Sequence, residues 1–414
     1  MRLLLALESF GSLAAFAACA PIPMREPPAR NAIAVGARPA ANLAAGCVAD
    51  YRAGTDYFPD KATFRHSAQL KVEYHRNWKR VTFTPSVDTR EVLRLVLVQC
   101  GTPPPKLGPR DTLVEIPVRD FATANVSLLG AADLLDIDDR LKGVPTSNVS
   151  IPAIAERIES GETIPIYATQ HGNGEQAAAL GADLFFTFYS AYPDANIHPL
   201  LKRLGVVSAP QSDHTEPTPL GRAEWIKYLA LFFNLEARAN QLFDERAARY
   251  EALSALASNV DARPLVQLGY PESRDEWSQA GGRNQLYRMI EDAGGRHAWH
   301  DNAIAGSLTY APMEKLFDRA AEADVWLGSF MPGAADVAAL RRDHPRLAWL
   351  RAVRNGRVYW FDAGKVGPFA NSWSDQGMTE PQDALAELIA ILHPELLAPP
   401  ARLRFIRKIP ESPA

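Results

Sequence analysis

The sequence predicts an α/β protein built as two α/β lobes joined by a long rigid interlobe helix. Three observations carry that expectation. Thr218–Asn259 is the one long helix-compatible segment in the middle of the chain. On either side of it, short apolar runs of strand type alternate with helical stretches, the pattern of parallel βαβ units. The length of 414 residues is too great for a typical single core and suits two domains with extensions.

The chain opens with Arg2, a short apolar run and the small residues Ala17-Ala18-Cys19. This is the layout of an export signal, expected over residues 1–19 and too short to span a bilayer well. Glu8 is an awkward charge within the run. Ala17-Ala18-Cys19 resembles a lipobox, with Cys19 as the lipidation site; Phe16 stands where that motif prefers Leu, so cleavage among the alanines without lipid is the alternative. Residues 20–46 are rich in Ala, Pro and Arg, lack periodicity, and are expected to form a flexible tether. With Cys19 lipidated, Cys47 and Cys100 remain as an even pair, either joined in an oxidising compartment or left as two free thiols.

The first lobe is expected over residues 47–217. Lys71–Phe83 and Arg94–Gly101 read as two strands pairing as a hairpin, with Thr84–Thr89 in the turn. Ile116-Pro-Val opens the next unit, and Phe121–Leu135 reads as a small-residue loop running into a helix. The loop residues Thr123, Ala124, Asn125 and Ser127 stand where open α/β sheets bind ligands, or simply begin a helix. Ile164–Tyr167, Asp183–Tyr189 and Gly205–Ser208 are further strands, separated by helical stretches at Gln176–Leu180 and His198–Leu204. Tyr189, Tyr192, His171, His198 and His214 fall in the connecting loops.

Residues 218–259 form the link. Thr218 suits a helix cap and Pro219 the first helical position, and Asn234 with Glu236 reads as a second helix start. No Gly or Pro interrupts Leu235–Ser258, which predicts a helix of about 36 Å. Trp225, Leu229, Phe232, Phe233, Leu242, Phe243, Tyr250, Leu253 and Leu256 recur at helical spacing.

The second lobe, residues 260–396, repeats the logic. Pro264–Tyr270 is a strand, followed by a polar loop carrying Arg274, Trp277, Gly281, Gly282 and Arg283. Gln285–Ala293 is a helix ended by Gly294-Gly295, which suits a left-handed C-cap. Met313–Ala321 is a helix, Asp324–Gly328 and Val358–Phe361 are strands, and Pro381–Leu392 is the final helix before a tail at residues 397–414. Trp277 and Trp373 are both read as loop residues, available for ligand contact or packed on their own loops.

Composition excludes several functions. The net charge of −4 is nearly balanced, and no basic face points to nucleic acid. There is no Gly-x-Ser-x-Gly elbow, metalloprotease motif or compact nucleophile–base pair, so no catalytic residue and no enzyme is expected. No His-x-x-x-His or Cys-x-x-Cys spacing supports a protein-held metal, and no cofactor is expected. Scattered Asp and Glu residues are explained as solvated faces.

Asp56-Tyr-Phe-Pro-Asp-Lys, Tyr74-His-Arg-Asn-Trp-Lys, Leu95-Val-Leu-Val-Gln-Cys-Gly, Thr218-Pro-Leu-Gly-Arg-Ala-Glu-Trp-Ile-Lys and His393-Pro-Glu-Leu, in this order, carry a family resemblance. The chain from about Cys47 onward resembles the periplasmic substrate-binding proteins of ABC importers for ferric siderophores and cobalamin. The resemblance implies a ligand cleft between the lobes and a connecting helix that limits closure to a small movement. It implies capture of an iron–siderophore complex, a small-molecule metal chelate, with cobalamin as the nearest rival cargo. Tyr189, Trp277, Tyr310 and Trp373 would cover apolar parts of the ligand, and Arg274 or Arg283 would pair with its anionic groups. The chelator wraps the iron, so the protein supplies no metal ligands. Glu175 and Glu314, each at the start of a helix, would dock on arginines of an ABC permease in the inner membrane. The protein would be a monomer, periplasmic or anchored by lipid on the periplasmic side. An exported enzyme acting on metal chelates, or a purely structural lipoprotein, are the readings from other classes.

Overall fold

Pairing at its two ends fixes the leading segment of the chain. In the computed structural model, which describes residues 30–86, 92–166, 174–189, 196–304, 308–328, 334–367, 370–397 and 403–412, β1 (Ala32–Ile33) runs parallel to β2 (Cys47–Val48). Cys47 is joined to Cys100 by a disulfide, with Cα atoms 4.6 Å apart. The later part of the expected tether is therefore built into the fold. Asn42 is buried, and its side-chain amide donates to Glu236 Oε2 at 2.8 Å. Cys19 and the export signal lie outside the described residues, as do His171 and Tyr192.

β3 (Leu70–Tyr74), β4 (Trp78–Phe83), β5 (Leu93–Gln99) and β6 (Asp111–Ile116) form a four-stranded sheet in that order. The stretch read as one strand from Lys71 to Phe83 is two. It folds back at His75–Asn77, where the His75 amide donates to the Trp78 carbonyl at 2.9 Å. The expected pairing with the later run is present as β4 antiparallel to β5, with Phe83 opposite Leu93. Strand alternation sends Leu70, Val81, Phe83, Leu95, Leu97, Val114 and Ile116 into the core.

The first lobe is a parallel sheet interleaved with helices. Along the chain come β7 (Phe121–Thr123), α1 (Ser127–Leu134), β8 (Leu141–Val144), α2 (Pro152–Glu159), β9 (Ile164–Pro165), α3 (Gly174–Ala179), β10 (Leu184–Phe188), α4 (His198–Arg203) and β11 (Ser208–Gln211). The strand order is β11-β10-β7-β8-β9, and every pair is parallel. β11 begins three residues later than its apolar run suggested.

The link is three helices: α5 (Pro219–Ala223), α6 (Trp225–Leu231) and α7 (Glu236–Ser258). Thr218 caps α5 as expected, its Oγ1 accepting the Gly221 amide at 3.0 Å. Asn234 does not cap α7. It adopts φ +59° between α6 and α7, and its amide is used in the core, donating to Leu43 O at 2.7 Å and Gln99 Oε1 at 2.8 Å. At 23 residues, α7 is about 35 Å long. Leu242, Phe243 and Tyr250 lie on its buried stripe, whereas Leu256 is exposed.

In the second lobe follow β12 (Leu265–Leu268), β13 (Tyr270–Pro271), β14 (Glu276–Ala280), α8 (Gln285–Asp292), β15 (Arg296–His297), β16 (Leu308–Pro312), α9 (Met313–Ala320), β17 (Val325–Gly328), α10 (Val337–Asp343), α11 (Arg351–Arg354), β18 (Val358–Trp360), α12 (Pro381–Leu392) and β19 (Arg407–Lys408). The main sheet has the order β15-β12-β17-β18-β19. Its first four strands are parallel and β19 is antiparallel. β13, β14 and β16 form a separate antiparallel sheet. The expected tail is thus an edge strand. Glu387 on α12 accepts the backbone amides of Arg404 and Ile406, at 2.5 and 3.0 Å, and so holds the segment leading into β19. Gly294 takes φ +78° after α8, the left-handed ending its sequence implied.

Ala32–Ala414 forms one compact unit, because the two lobes meet directly. The Ser150 amide of the first lobe donates to Asp375 Oδ2 of the second at 2.6 Å. Asp375 lies in a tight π-type turn, Trp373–Gly377, that packs on Gly130 of α1, where a Cβ would stand 2.6 Å from the Asp375 carbonyl oxygen.

Candidate functional site

Parallel sheets expose their ligand-binding loops at strand C-terminal ends. In the first lobe these loops include Ala124–Val126 after β7 and Ser212–Pro217 after β11. Asp213 organises both. Its Oδ1 accepts from Gln211 Nε2 at 2.8 Å, Ser127 Oγ at 3.1 Å and Asn125 Nδ2 at 3.3 Å. Its Oδ2 accepts from Arg222 Nε at 2.9 Å. Asn125 and Ser127 are therefore committed to the protein's own buried carboxylate, while the Thr123 hydroxyl bonds the Asn125 backbone. His214 stacks on Phe188 with ring centroids 4.5 Å apart, and its Nδ1 has no hydrogen-bond partner. Burial, aided by the Arg222 charge, pushes its pKa down to about 4, so the imidazole is neutral at pH 7. Tyr189 is buried edge-on against Phe83, at 5.3 Å, while His198 Nδ1 contacts Ser208 Oγ at 2.7 Å.

In the second lobe, Trp277 lies on β14 and not in a loop. It is fully buried, tilted on Trp326 at 5.3 Å, and Trp326 in turn packs on Trp360 at 5.4 Å. Trp373 opens the Trp373–Gly377 turn and is buried on Phe361, 4.6 Å away. These two tryptophans fill the core. Tyr310 on β16 is 56% exposed, and Arg274 and Arg283 are exposed as well. Of the six residues expected to contact a ligand, Tyr310, Arg274 and Arg283 present surface, and Tyr189, Trp277 and Trp373 are inside.

Arg274 sits in the turn between β13 and β14, at the same corner as Glu314. The Asp275 carbonyl accepts the Met313 amide at 2.9 Å, and Arg346 lies 2.7 Å from Glu314 and 3.8 Å from Asp275. The Arg346 hydrogen bond holds the Glu314 carboxyl below its ordinary range. Glu314 and Glu175 each occupy the second position of a helix, α9 and α3, and both are exposed.

The acids read as solvated faces include several that are buried. Glu224 accepts the amides of Arg65, His66 and Ser67 at 2.8–3.0 Å. Glu216 accepts from Ala68 N at 3.0 Å and Trp225 Nε1 at 2.9 Å. Charge alone marks neither residue, because these partners are backbone amides of the distant segment 65–68 and, for Glu216, the Trp225 indole.

A cavity of about 450 Å³ opens at the β3–β4 turn, by Lys61, Tyr74 and Trp78, and one of about 880 Å³ lies at the β15 edge of the second lobe. Neither is between the lobes. Among the described residues, the metal-ligand cluster found is Cys47, Cys100 and Glu115, whose two sulfurs are already joined to each other. No helix among the described residues is long and apolar enough to cross a membrane.

Two α/β lobes joined by a long helix are the architecture of the two-lobed periplasmic solute-binding proteins. The chain belongs to the periplasmic binding protein family, which its residues 126–363 match. The matched part begins after the four-stranded sheet β3–β6. Two uncharacterized lipoproteins of Methanocaldococcus jannaschii are relatives. One is 25% identical over 248 residues, covering 58% of this chain and 55% of its own length. The other is 24% identical over 324 residues, covering 76% of this chain and 80% of its own. The chain thus spans little more than half of the first. In fold, it is similar to a periplasmic heme-binding protein from Pseudomonas aeruginosa, with a TM-score of 0.53 and 21% identity over 72% of this chain and 99% of that one. It is also similar to a periplasmic heme-binding protein from Roseiflexus sp. RS-1, with a TM-score of 0.51 and 18% identity over 67% and 99% of the two chains. An ABC-type Fe3+-hydroxamate transport protein from Saccharomonospora viridis gives a TM-score of 0.51 and 17% identity over 67% and 94%.

Proposed function

We propose that the protein is the substrate-binding component of an ABC importer, capturing an iron–siderophore complex between its lobes and delivering it to a membrane permease. The observation that carries this reading is the family match on a two-lobed fold in which a 23-residue helix follows the first lobe and packs against the second. The fold-level neighbours, a heme-binding protein and a ferric-hydroxamate transport protein, support an iron-bearing chelate as cargo. Heme is the second reading, favoured by the two heme-binding neighbours. Cobalamin is left without a specific observation in its favour.

Arg274, Arg283 and Tyr310 are the exposed groups suited to the ligand. Guanidinium pairs with catecholate, hydroxamate or carboxylate oxygens, and a phenol ring covers apolar parts. Glu175 and Glu314 are the docking carboxylates, each favoured by the positive end of its helix. Arg346 already pairs with Glu314, so an incoming arginine would share or replace that partner. The relatives described as lipoproteins support a lipid anchor at Cys19.

Chelate uptake by cells carrying Glu175→Arg with Glu314→Arg tests the reading. The expected result is loss of uptake while the purified variant binds ligand as tightly as the wild type. Normal uptake by the double variant would overturn the docking assignment.

A further inference from the structure

The cavity of about 880 Å³ in the second lobe is of small-molecule size, and its lining has a definite charge character. It lies between the end of α8, the edge strand β15 and the end of α9, bounded by Arg263, Glu291, Arg296, His297, Asp301 and Arg319. Three guanidiniums face two carboxylates. One of each is already matched: Arg319 holds Asp301 through both terminal nitrogens, at 2.5 and 2.8 Å. Glu291 stands 3.4 Å from His297 Nε2. Arg263 and Arg296 bond backbone carbonyls, Ser258 O at 3.0 Å and Arg263 O at 3.3 Å. No carboxylate partner is seen for either among the described residues.

His297 is 5% exposed. It stacks on Tyr287 at 4.1 Å, and its Nδ1 has no partner. Burial, with the neighbouring His300, pushes its pKa down to about 4. The imidazole is thus neutral at pH 7 and keeps an unused ring nitrogen. A bare cation would meet a surplus of guanidinium charge, whereas an anion would meet two guanidiniums that bond backbone carbonyls and have no carboxylate partner among the described residues. Leu265, the first residue of β12, lines the cavity. That places it at the starting end of β12, opposite the C-terminal end where parallel sheets carry their ligand-binding loops.

We propose that this cavity is a second, anion-selective small-molecule site on the outer edge of the second lobe. It takes a compact polyanion, carboxylate or phosphate, with Arg263 and Arg296 pairing its charged groups and His297 at its buried side. Calorimetric titration of the purified full chain with metal-free citrate, inorganic phosphate and uncharged glycerol tests this. Saturable binding of citrate or phosphate is expected, weakened at least tenfold by Arg263→Gln with Arg296→Gln and unchanged by Arg274→Gln with Arg283→Gln. Citrate alone assigns carboxylates and phosphate alone assigns phosphates. Both altered arginines in the first variant are exposed, and its unfolding midpoint is expected to match the wild type. Binding of neither anion, binding that survives loss of Arg263 and Arg296, or binding abolished by the Arg274 and Arg283 changes would each overturn the proposal. The last outcome would place the anion in the interlobe cleft and leave the importer reading intact.

Discussion

Lys79 has no exposed surface, yet its ammonium is fully engaged. It pairs with Glu236 and donates to Asn234 Oδ1 at 2.7 Å and Leu231 O at 2.9 Å. Glu236 also accepts from Asn42 and from the Tyr74 hydroxyl. Burial drives the Lys79 pKa down and Glu236 opposes it. This cluster ties the leading segment and the β3–β6 sheet to the first residue of α7. Lys79→Met would leave the carboxylate buried without its counter-charge, a change that costs about 3–5 kcal/mol. Urea unfolding should show that loss, and a change below about 1 kcal/mol would contradict the assigned role, since that is the range of exposed pairs. The pair was not legible in the sequence. Lys79 reads as one polar residue in a strand and Asn234–Glu236 as a helix start, and only the packing of distant segments joins them. Trp277 was misread for a related reason. Its neighbours Arg274, Asp275, Glu276, Ser278 and Gln279 are polar, which signals a loop, but pairing of β14 with β16 turns the indole inward. Arg274, Arg283 and Tyr310, named for ligand contact through the family resemblance, are exposed in a turn, a loop and an edge strand.

Elements with strong local signals were legible. α12 runs over the residues its pattern marked, and α7 starts at Glu236, where an uninterrupted helix-forming stretch begins. Short elements were not. β19 is two residues long and exists because β18 offers it an edge and Glu387 gathers the amides before it. The fold-back at His75–Asn77 contains no Gly or Pro to announce it. Contact between α1 and the Trp373–Gly377 turn is likewise set by approach and not by pattern. A Cβ on Gly130 would lie 2.6 Å from Asp375 O and 2.9 Å from Thr379 Oγ1. Gly130→Ala must push α1 away from the turn, and overpacking of this kind costs about 1–3 kcal/mol. Thermal unfolding should reveal the loss. An unchanged midpoint would show that the lobes do not bear on each other at this point.

At the scale of the molecule, two lobes with their own parallel sheets share one continuous core through α5–α7 and α12. Tyr250 on α7 donates to Asp292 on α8 at 2.8 Å, so the long helix is bonded into the second lobe as well as into the first sheet. A molecule built this way suits modest adjustment around a ligand better than wide hinge closure. The central claim is that it captures an iron chelate between the lobes. The most direct test is a tryptophan-fluorescence titration of the purified protein with ferric siderophores, heme, cobalamin and free ferric ion, which the indoles of the second lobe make practicable. The account predicts saturable quenching by a ferric siderophore at micromolar or lower concentration, lost when Arg274 and Arg283 are both replaced by Gln. No response to any member of the panel would contradict it.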